Sequence, residues 1–264
     1  MIARPFTPFK RFVKRIASPS NPLIKTVRRL AHPRRREARI LLEGEKLVRA
    51  ALESGLRIET LLLDRPPSPS ELVEFEAAGA DVAEVSATLF RRVSSVESPE
   101  GVLAVARRPA RSLDDLHAEG FVLVSAGIQD PGNLGAIARV AEAGGARALA
   151  VVKGSADPFG PKAVRGSMGS LLRLPVFEIE NPDSLRNRGF RIAALVPRGG
   201  VDFRRADWSQ PLAILLGGEG RGLSGDAVAA ADLRVTIPMA GKVESLNVAT
   251  AAALVLYEAT RPVP

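Results

Sequence analysis

The chain has no cysteine, which excludes disulfides, thiolate zinc sites and cysteine nucleophiles and fits a reducing compartment. Histidine is nearly missing as well. His32 and His117 are the only two, so a histidine-based metal cluster or a Ser-His-Asp triad has no material to build on, and no metal is expected. No apolar run reaches the roughly 18 to 20 residues that cross a bilayer. A secretory h-region is lacking too, and Pro5, Pro8, Pro19 and Pro22 break any amphipathic transit helix. The expectation is a soluble, cytoplasmic protein without a membrane partner.

Acids are scarce in one region only. Residues 1–39 hold 12 Lys/Arg and a single acid, Glu37, a balance of +11, whereas the remainder carries −3. The excess lies in Lys10-Arg11, Lys14-Arg15, Arg28-Arg29 and Arg34-Arg35-Arg36. A local cluster of this kind is the footprint of a polyphosphate partner, and the plainer alternative is a solvated tail. Phe6, Phe9 and Phe12 accompany the first basic pair, but no aromatics interleave closely with the later ones. Phosphate contact is favoured over base stacking. Arginine outnumbers lysine 30 to 7, which suggests a GC-rich genome.

What is present points to a packed core: 46% hydrophobic and 25% charged residues over 264 positions, enough for one large domain or two ordinary ones. Residues 1–36 read as a basic arm. Residues 37–108 read as a small α/β unit, with strands at 40–43, 58–63, 81–85 and 101–106 and helices at 45–53 and 71–78. Polar residues 109–118 read as a linker, with His117 in it. Residues 119–264 alternate strands (121–125, 148–152, 176–179, 192–196, 212–216, 233–237) with helices (133–143, 161–171, a short one within 222–231, 246–257). Apolar strands between helices predict a parallel sheet covered on both faces.

Three segments gather polar residues and glycines where a strand meets a helix, the place where open α/β sheets bind ligands. The first is Asp130-Pro-Gly-Asn-Leu-Gly-Ala-Ile-Ala-Arg139. About 600° of helical rotation separates Asn133 from Arg139, so they share no clean face unless Asn133 sits where the turn becomes helix. The bland alternative is an N-cap and a surface arginine. The second is Leu215-Leu-Gly-Gly-Glu-Gly-Arg-Gly-Leu-Ser224, with Glu219 at a strand end. Gly220, Gly222 and Gly225 match G-x-G-x-x-G weakly, because too little chain follows for a full crossover helix and no acid ends the next strand. The third is Ile237-Pro-Met-Ala-Gly-Lys-Val-Glu-Ser-Leu-Asn-Val248, leading into an alanine-rich helix whose first turn would carry Ser245 and Asn247. There is no G-x-x-x-x-G-K-[ST], and Ser167 lacks the spacing of a nucleophile elbow.

In this order the three segments resemble the SpoU/TrmH family of RNA 2′-O-ribose methyltransferases, within the SPOUT superfamily. Ser18-Pro-Ser-Asn-Pro-Leu-Ile-Lys25, Leu41-Leu-Glu-Gly-Glu-Lys-Leu-Val48 and Asp157-Pro-Phe-Gly-Pro-Lys-Ala-Val-Arg-Gly-Ser-Met-Gly-Ser170 resemble its rRNA-acting branch. The resemblance implies a C-terminal parallel-sheet domain with a trefoil knot, preceded by a small ribosomal-protein-like α/β domain, and a homodimer. It implies S-adenosyl-L-methionine as cofactor, lined by Leu216, Gly217, Gly218, Ile237, Met239 and Leu246. It assigns the catalytic and substrate-positioning set to Asn133, Arg139, Glu219, Ser245 and Asn247. Arg28, Arg29, Arg34, Arg35, Arg36 and Arg165 are the expected RNA contacts. Ala249 stands where many relatives have a hydroxyl residue.

The implied reaction is methylation of a ribose 2′-hydroxyl, with large-subunit rRNA the favoured substrate and tRNA the alternative. Arg139 is either the base or an electrostatic stabiliser, since a guanidinium with a pKa above about 12 is a poor base. The helix 246–257 serves either the core or a dimer interface. Competing readings are a non-catalytic RNA-binding protein of the same fold and, on the weak glycine match alone, a nicotinamide-dependent oxidoreductase.

Overall fold

The computed structural model describes residues 13–33 and 35–261, so Arg34, the Lys10-Arg11 pair and Phe6, Phe9 and Phe12 lie outside it. The chain divides between Arg107 and Arg108 into two compact units. Among the described residues no helix is long and apolar enough to cross a membrane.

The first unit runs β1 (Lys14–Ile16), α1 (Pro22–Ala31), β2 (Arg39–Glu43), α2 (Glu45–Glu53), β3 (Ile58–Leu63), α3 (Pro69–Ala77), β4 (Asp81–Val85), α4 (Ala87–Val93) and β5 (Val102–Arg107). Its five strands lie in the order β1-β4-β3-β5-β2, with β5 antiparallel to both neighbours. The segment read as a basic arm therefore contributes a strand and a helix to this unit. In α1, Ile24, Val27 and Leu30 are buried, Asn21 accepts the Leu23 N–H as N-cap, and Pro22 occupies the first turn. The helix escapes a composition-based reading because its outer face is so basic.

Strand alternation separates two layers in this unit. Leu41, Leu62, Ala83, Val85, Leu103 and Val105 share a buried cluster with Ile24, Val27 and Leu30 of α1 and with Leu89, Phe90 and Val93 of α4. The alternate residues Ile40, Leu42, Leu61, Leu63 and Ala104 are buried on the other face. The parallel crossovers β2-α2-β3 and β3-α3-β4 both step in the same direction across the sheet. Right-handed connection thus places α2 and α3 together on that second face.

The second unit runs β6 (Phe121–Ala126), α5 (Pro131–Ala143), β7 (Ala148–Val152), α6 (Pro161–Ser167), α7 (Ser170–Arg173), β8 (Val176–Ile179), α8 (Asp183–Arg186), β9 (Arg191–Leu195), β10 (Val201–Asp202), β11 (Leu212–Gly217), α9 (Gly225–Ala229), β12 (Leu233–Thr236) and α10 (Val248–Ala259). Seven strands lie in the order β10-β12-β9-β11-β6-β7-β8, and every pairing is parallel. The residues read as a linker are partly structural: Leu113–Asp115 form a 3-10 turn and Leu116 enters this unit's core. The helix expected over 161–171 is broken in two where Met168 and Gly169 take left-handed φ of 52° and 95°. Helix α5 packs on α6 at backbone distance, since a Cβ on Gly135 would lie 2.5 Å from the Ala163 carbonyl oxygen.

Candidate active site

The site lies where strand order reverses. From β6 the chain steps to β7 on one side, and from β11 it passes to β12 on the other, so the C-terminal ends of β6 and β11 mark the switch point where open α/β sheets bind ligands. Strand β9 runs beside β11 only as far as Leu215, and on that side the main chain of Leu216 and Gly217 lies beyond the sheet pairing. The Leu216 side chain is fully buried, so only its backbone is left to face a ligand.

The loop after β6 is tied down by short contacts. Ser155 accepts the Gly127 N–H at 3.0 Å, Gln129 donates to the Gly154 carbonyl at 2.7 Å, and the Ala156 N–H reaches Ile128 at 2.7 Å. Gly218 must be glycine, because a Cβ there would lie 2.1 Å from the Gly127 carbonyl oxygen. This contact closes the loop after β11 onto the loop after β6.

Helix α5 starts at Pro131, earlier than the expected Asn133. Asp130 is the N-cap and accepts the Gly132 N–H at 2.7 Å, with Pro131 opening the helix. Lys162 of α6 donates to the same carboxylate at 2.8 Å. These two bonds, Lys162 first, hold the Asp130 carboxyl below its usual range. Asn133 thus stands inside the first helical turn, not at the cap, and its side chain is free for other partners.

Those partners come from the two other motifs. Asn133 Nδ2 donates to Glu219 Oε1, and Asn247 Nδ2 donates to Asn133 Oδ1 at 2.9 Å. Asn247 Oδ1 in turn accepts the Ala249 and Thr250 N–H groups at 3.0 and 3.3 Å, so Asn247 is the N-cap of α10 rather than part of its first turn. A continuous chain therefore runs from the amides of α10 through Asn247 and Asn133 to the Glu219 carboxylate. Each amide has one orientation that satisfies both neighbours, which fixes Asn133 as donor to Glu219 and acceptor from Asn247.

Of the five polar positions, Asn133, Glu219 and Asn247 are joined in this network, and Arg139 and Ser245 are not. Arg139 is exposed on α5 and, among the described residues, has no hydrogen bond or ion pair. Ser245 is exposed in the irregular segment between β12 and α10. In that segment Ile237 and Met239 are half-buried and Leu246 is 37% exposed. Gly217 and Gly218 are half-buried and face neighbouring main chain: a Cβ on Gly217 would lie 2.4 Å from the Gly222 carbonyl carbon, as one on Gly218 would meet Gly127. Irregular main chain, half-buried apolar side chains and two glycines at the end of β11 make a setting suited to an adenosine and an amino-acid tail.

Sequence reasoning misses two supports. Arg108 forms a two-pronged pair with Asp157 at 2.9 and 2.7 Å, bonds Glu178 at 2.6 Å and stacks 4.9 Å above Phe159. This pins the 157–160 turn that leads into α6. The Asp130–Lys162 pair joins the first motif to the same helix. An Asp-Pro step before an apolar helix is a readable cap signal, but its lysine partner is 32 residues away. Among the described residues, no three His, Cys, Asp or Glu side chains are grouped as a metal site.

Known proteins share this architecture. The profile of the SpoU rRNA Methylase family matches residues 120–257, and that of the MRM3-like substrate binding domain matches residues 21–104. A 23S rRNA (guanosine(2553)-2'-O)-methyltransferase of Bacillus subtilis is 33% identical over 93% of this chain and 98% of its own length. A 23S rRNA (uridine(2479)-2'-O)-methyltransferase of Streptomyces viridochromogenes is 35% identical over 86% of this chain and 84% of its own. The crystal structure of an AdoMet-bound rRNA methyltransferase from Sinorhizobium meliloti superposes with a TM-score of 0.85, at 33% identity, covering 94% of this chain and 97% of that one. With a family profile spanning most of the second unit and relatives matching along nearly the full chain, this protein belongs to the SpoU rRNA methylase family.

Proposed function

We propose that the protein methylates a ribose 2′-hydroxyl of large-subunit ribosomal RNA with S-adenosyl-L-methionine. The observation that carries the proposal is the hydrogen-bonded chain Asn247–Asn133–Glu219, which unites three motifs from distant parts of the sequence at the sheet's switch point. Relatives with the same two-unit layout are named as 23S rRNA 2′-O-methyltransferases, which supports rRNA over tRNA.

The cofactor, when bound, supplies an electrophilic methyl group on a sulfonium sulfur. The main chain of Leu216 to Gly218 and the segment from Ile237 through Met239 to Leu246 hold it and exclude water from its apolar parts. The protein's remaining tasks are to align the 2′-oxygen and to deal with its proton. Asn247 orients Asn133, which holds Glu219 in place, and Ser245 lies two residues before Asn247. Arg139 presents a full positive charge to solvent, so it suits an RNA phosphate and the negative charge that develops on the 2′-oxygen. An electrostatic role is favoured over proton removal by this arginine, because a guanidinium is a poor base, and the 2′-hydroxyl proton then leaves to solvent water at this exposed position.

The proposal extends to a trefoil knot in the second unit, a cytoplasmic location and a homodimer. Leu254 and Tyr257 on α10 are 41% and 56% exposed, an apolar face that a second copy would cover. Light scattering at micromolar concentration is expected to give twice the chain mass, and a monomer would remove the dimer. The central test incubates the purified chain with methyl-tritiated S-adenosylmethionine and with 23S rRNA or tRNA. Label at an alkali-resistant dinucleotide in rRNA alone is the expected result. Label only in tRNA, or none in either, would overturn the substrate or the activity.

A further inference from the structure

The first unit sorts charge between its two helical layers. On one face α1 carries Lys25, Arg28 and Arg29, α4 carries Arg91 and Arg92, and neither helix contains an acid. On the opposite face α2 and α3 carry Glu45, Glu53, Glu71, Glu74 and Glu76 against only Lys46 and Arg49. The balance is +5 on one layer and −3 on the other, across a single sheet. A solvated helix surface normally mixes signs, because alternating charges add short-range pairs. Here one layer has given up such pairs.

All five basic side chains are exposed. Arg29 pairs with Glu37 at 3.2 Å, while Lys25, Arg28, Arg91 and Arg92 have no acidic partner among the described residues. The two helices pack side by side over one core, Ile24, Val27 and Leu30 meeting the cluster of Leu89, Phe90 and Val93, so their outer faces form one surface. Favourable helix-end electrostatics accounts for a cation in a last turn. It does not account for adjacent pairs in both helices together with the exclusion of acids.

We propose that the α1–α4 layer seats the RNA phosphate backbone and that Arg91 and Arg92 are contacts in it, beside Lys25 and Arg28. This rests on the proposed action on RNA and adds where the chain is held. The acidic α2–α3 layer repels the same partner, so the unit engages RNA in one orientation only. Without aromatic platforms on α1 or α4 apart from the buried Phe90, the contact reads backbone shape and leaves base identity to the second unit.

The test uses the full chain and a fluorescein-labelled duplex RNA, with anisotropy followed across a salt series. Arg91→Gln with Arg92→Gln is expected to weaken affinity on the order of tenfold and to flatten the log–log salt slope by about 1.8. Lys46→Gln with Arg49→Gln removes the same charge from the opposite layer and is expected to stay within about twofold. Lys25→Gln with Arg28→Gln repeats the effect from α1, should the α4 pair fail to fold. S-adenosylmethionine affinity by calorimetry stays at the wild-type value in each. Equal weakening by the α2 pair, or wild-type affinity and slope in the α1 and α4 pairs, overturns the assignment. If the wild type transfers methyl groups to rRNA in that case, the proposed function stands and only this face falls. Tight binding through this face without methyl transfer upholds the face and removes the proposed activity.

Discussion

The two units present polar groups in opposite ways. In the first, cations are spread over the outer surfaces of two helices and are separate from one another. In the second, amides and a carboxylate converge from the first turn of α5, the loop after β11 and the N-cap of α10 and are bonded into one chain. The first arrangement suits a long, uniformly charged partner, because each contact is weak and the sum depends on their number. The second suits one atom at one position, because each group is fixed by the next. Loss of a member should therefore be graded in the first unit and abrupt in the second.

The sharpest break of that comparison is Arg139→Ala. Turnover is expected to fall on the order of 10²–10³-fold, the usual consequence of losing one electrostatic stabiliser. Cofactor affinity should be unchanged, because Arg139 bonds nothing in the network. Near-wild-type turnover in a radiolabelled methyl assay would take it out of the mechanism. Gly218→Ala comes next. Its new Cβ meets a backbone carbonyl that cannot rotate away, so the second unit should lose about 1–3 kcal/mol in calorimetric unfolding. An unchanged melting profile would show that the two loops separate freely.

Asn247→Ala removes a helix cap worth about 1 kcal/mol and the partner of Asn133 together. Weakened S-adenosylmethionine binding in calorimetry is expected, and unchanged affinity would refute its place at the site. The smallest effect belongs to the first unit. Hydrogen bonds from Arg65, opposed by partial burial and reinforced by Ser68, hold the Glu71 carboxyl down to about 2 from 4.5. A depressed carboxylate stabilises above its unfolded value and loses that contribution as pH falls from 4.5 toward 2. Glu71→Gln should thus cost at most about 1 kcal/mol at neutral pH, discounted for its exposure, and remove this slope in acid unfolding curves. A full-sized acid slope in the variant would place the titration elsewhere.

Local signals in the sequence are legible where one force dominates. The fully apolar run 148–152 and the run 176–179 are strands with the expected bounds. Helix α1 is hidden because its basic face outweighs the Ile24, Val27, Leu30 periodicity, although Asn21-Pro22 is a legible start. The pattern over 161–171 runs straight through Met168, whose left-handed backbone no propensity predicts. At the site, residue identities are legible through motif order, but their connections are not. Asn133 and Glu219 are 86 positions apart, and Asn133 and Asn247 are 114 apart, separations that only the finished sheet brings within bonding distance.

That last bond sets an order of completion during synthesis. The basic face is finished once the ribosome has released residue 107, whereas the hydrogen-bonded chain needs Asn247 and the helix it caps. A product truncated between residues 107 and 247 would carry the proposed RNA face without the hydrogen-bonded chain. Such a fragment would be a competitive blocker of its own full-length form, so incomplete translation is a liability that the late position of Asn247 builds into this architecture.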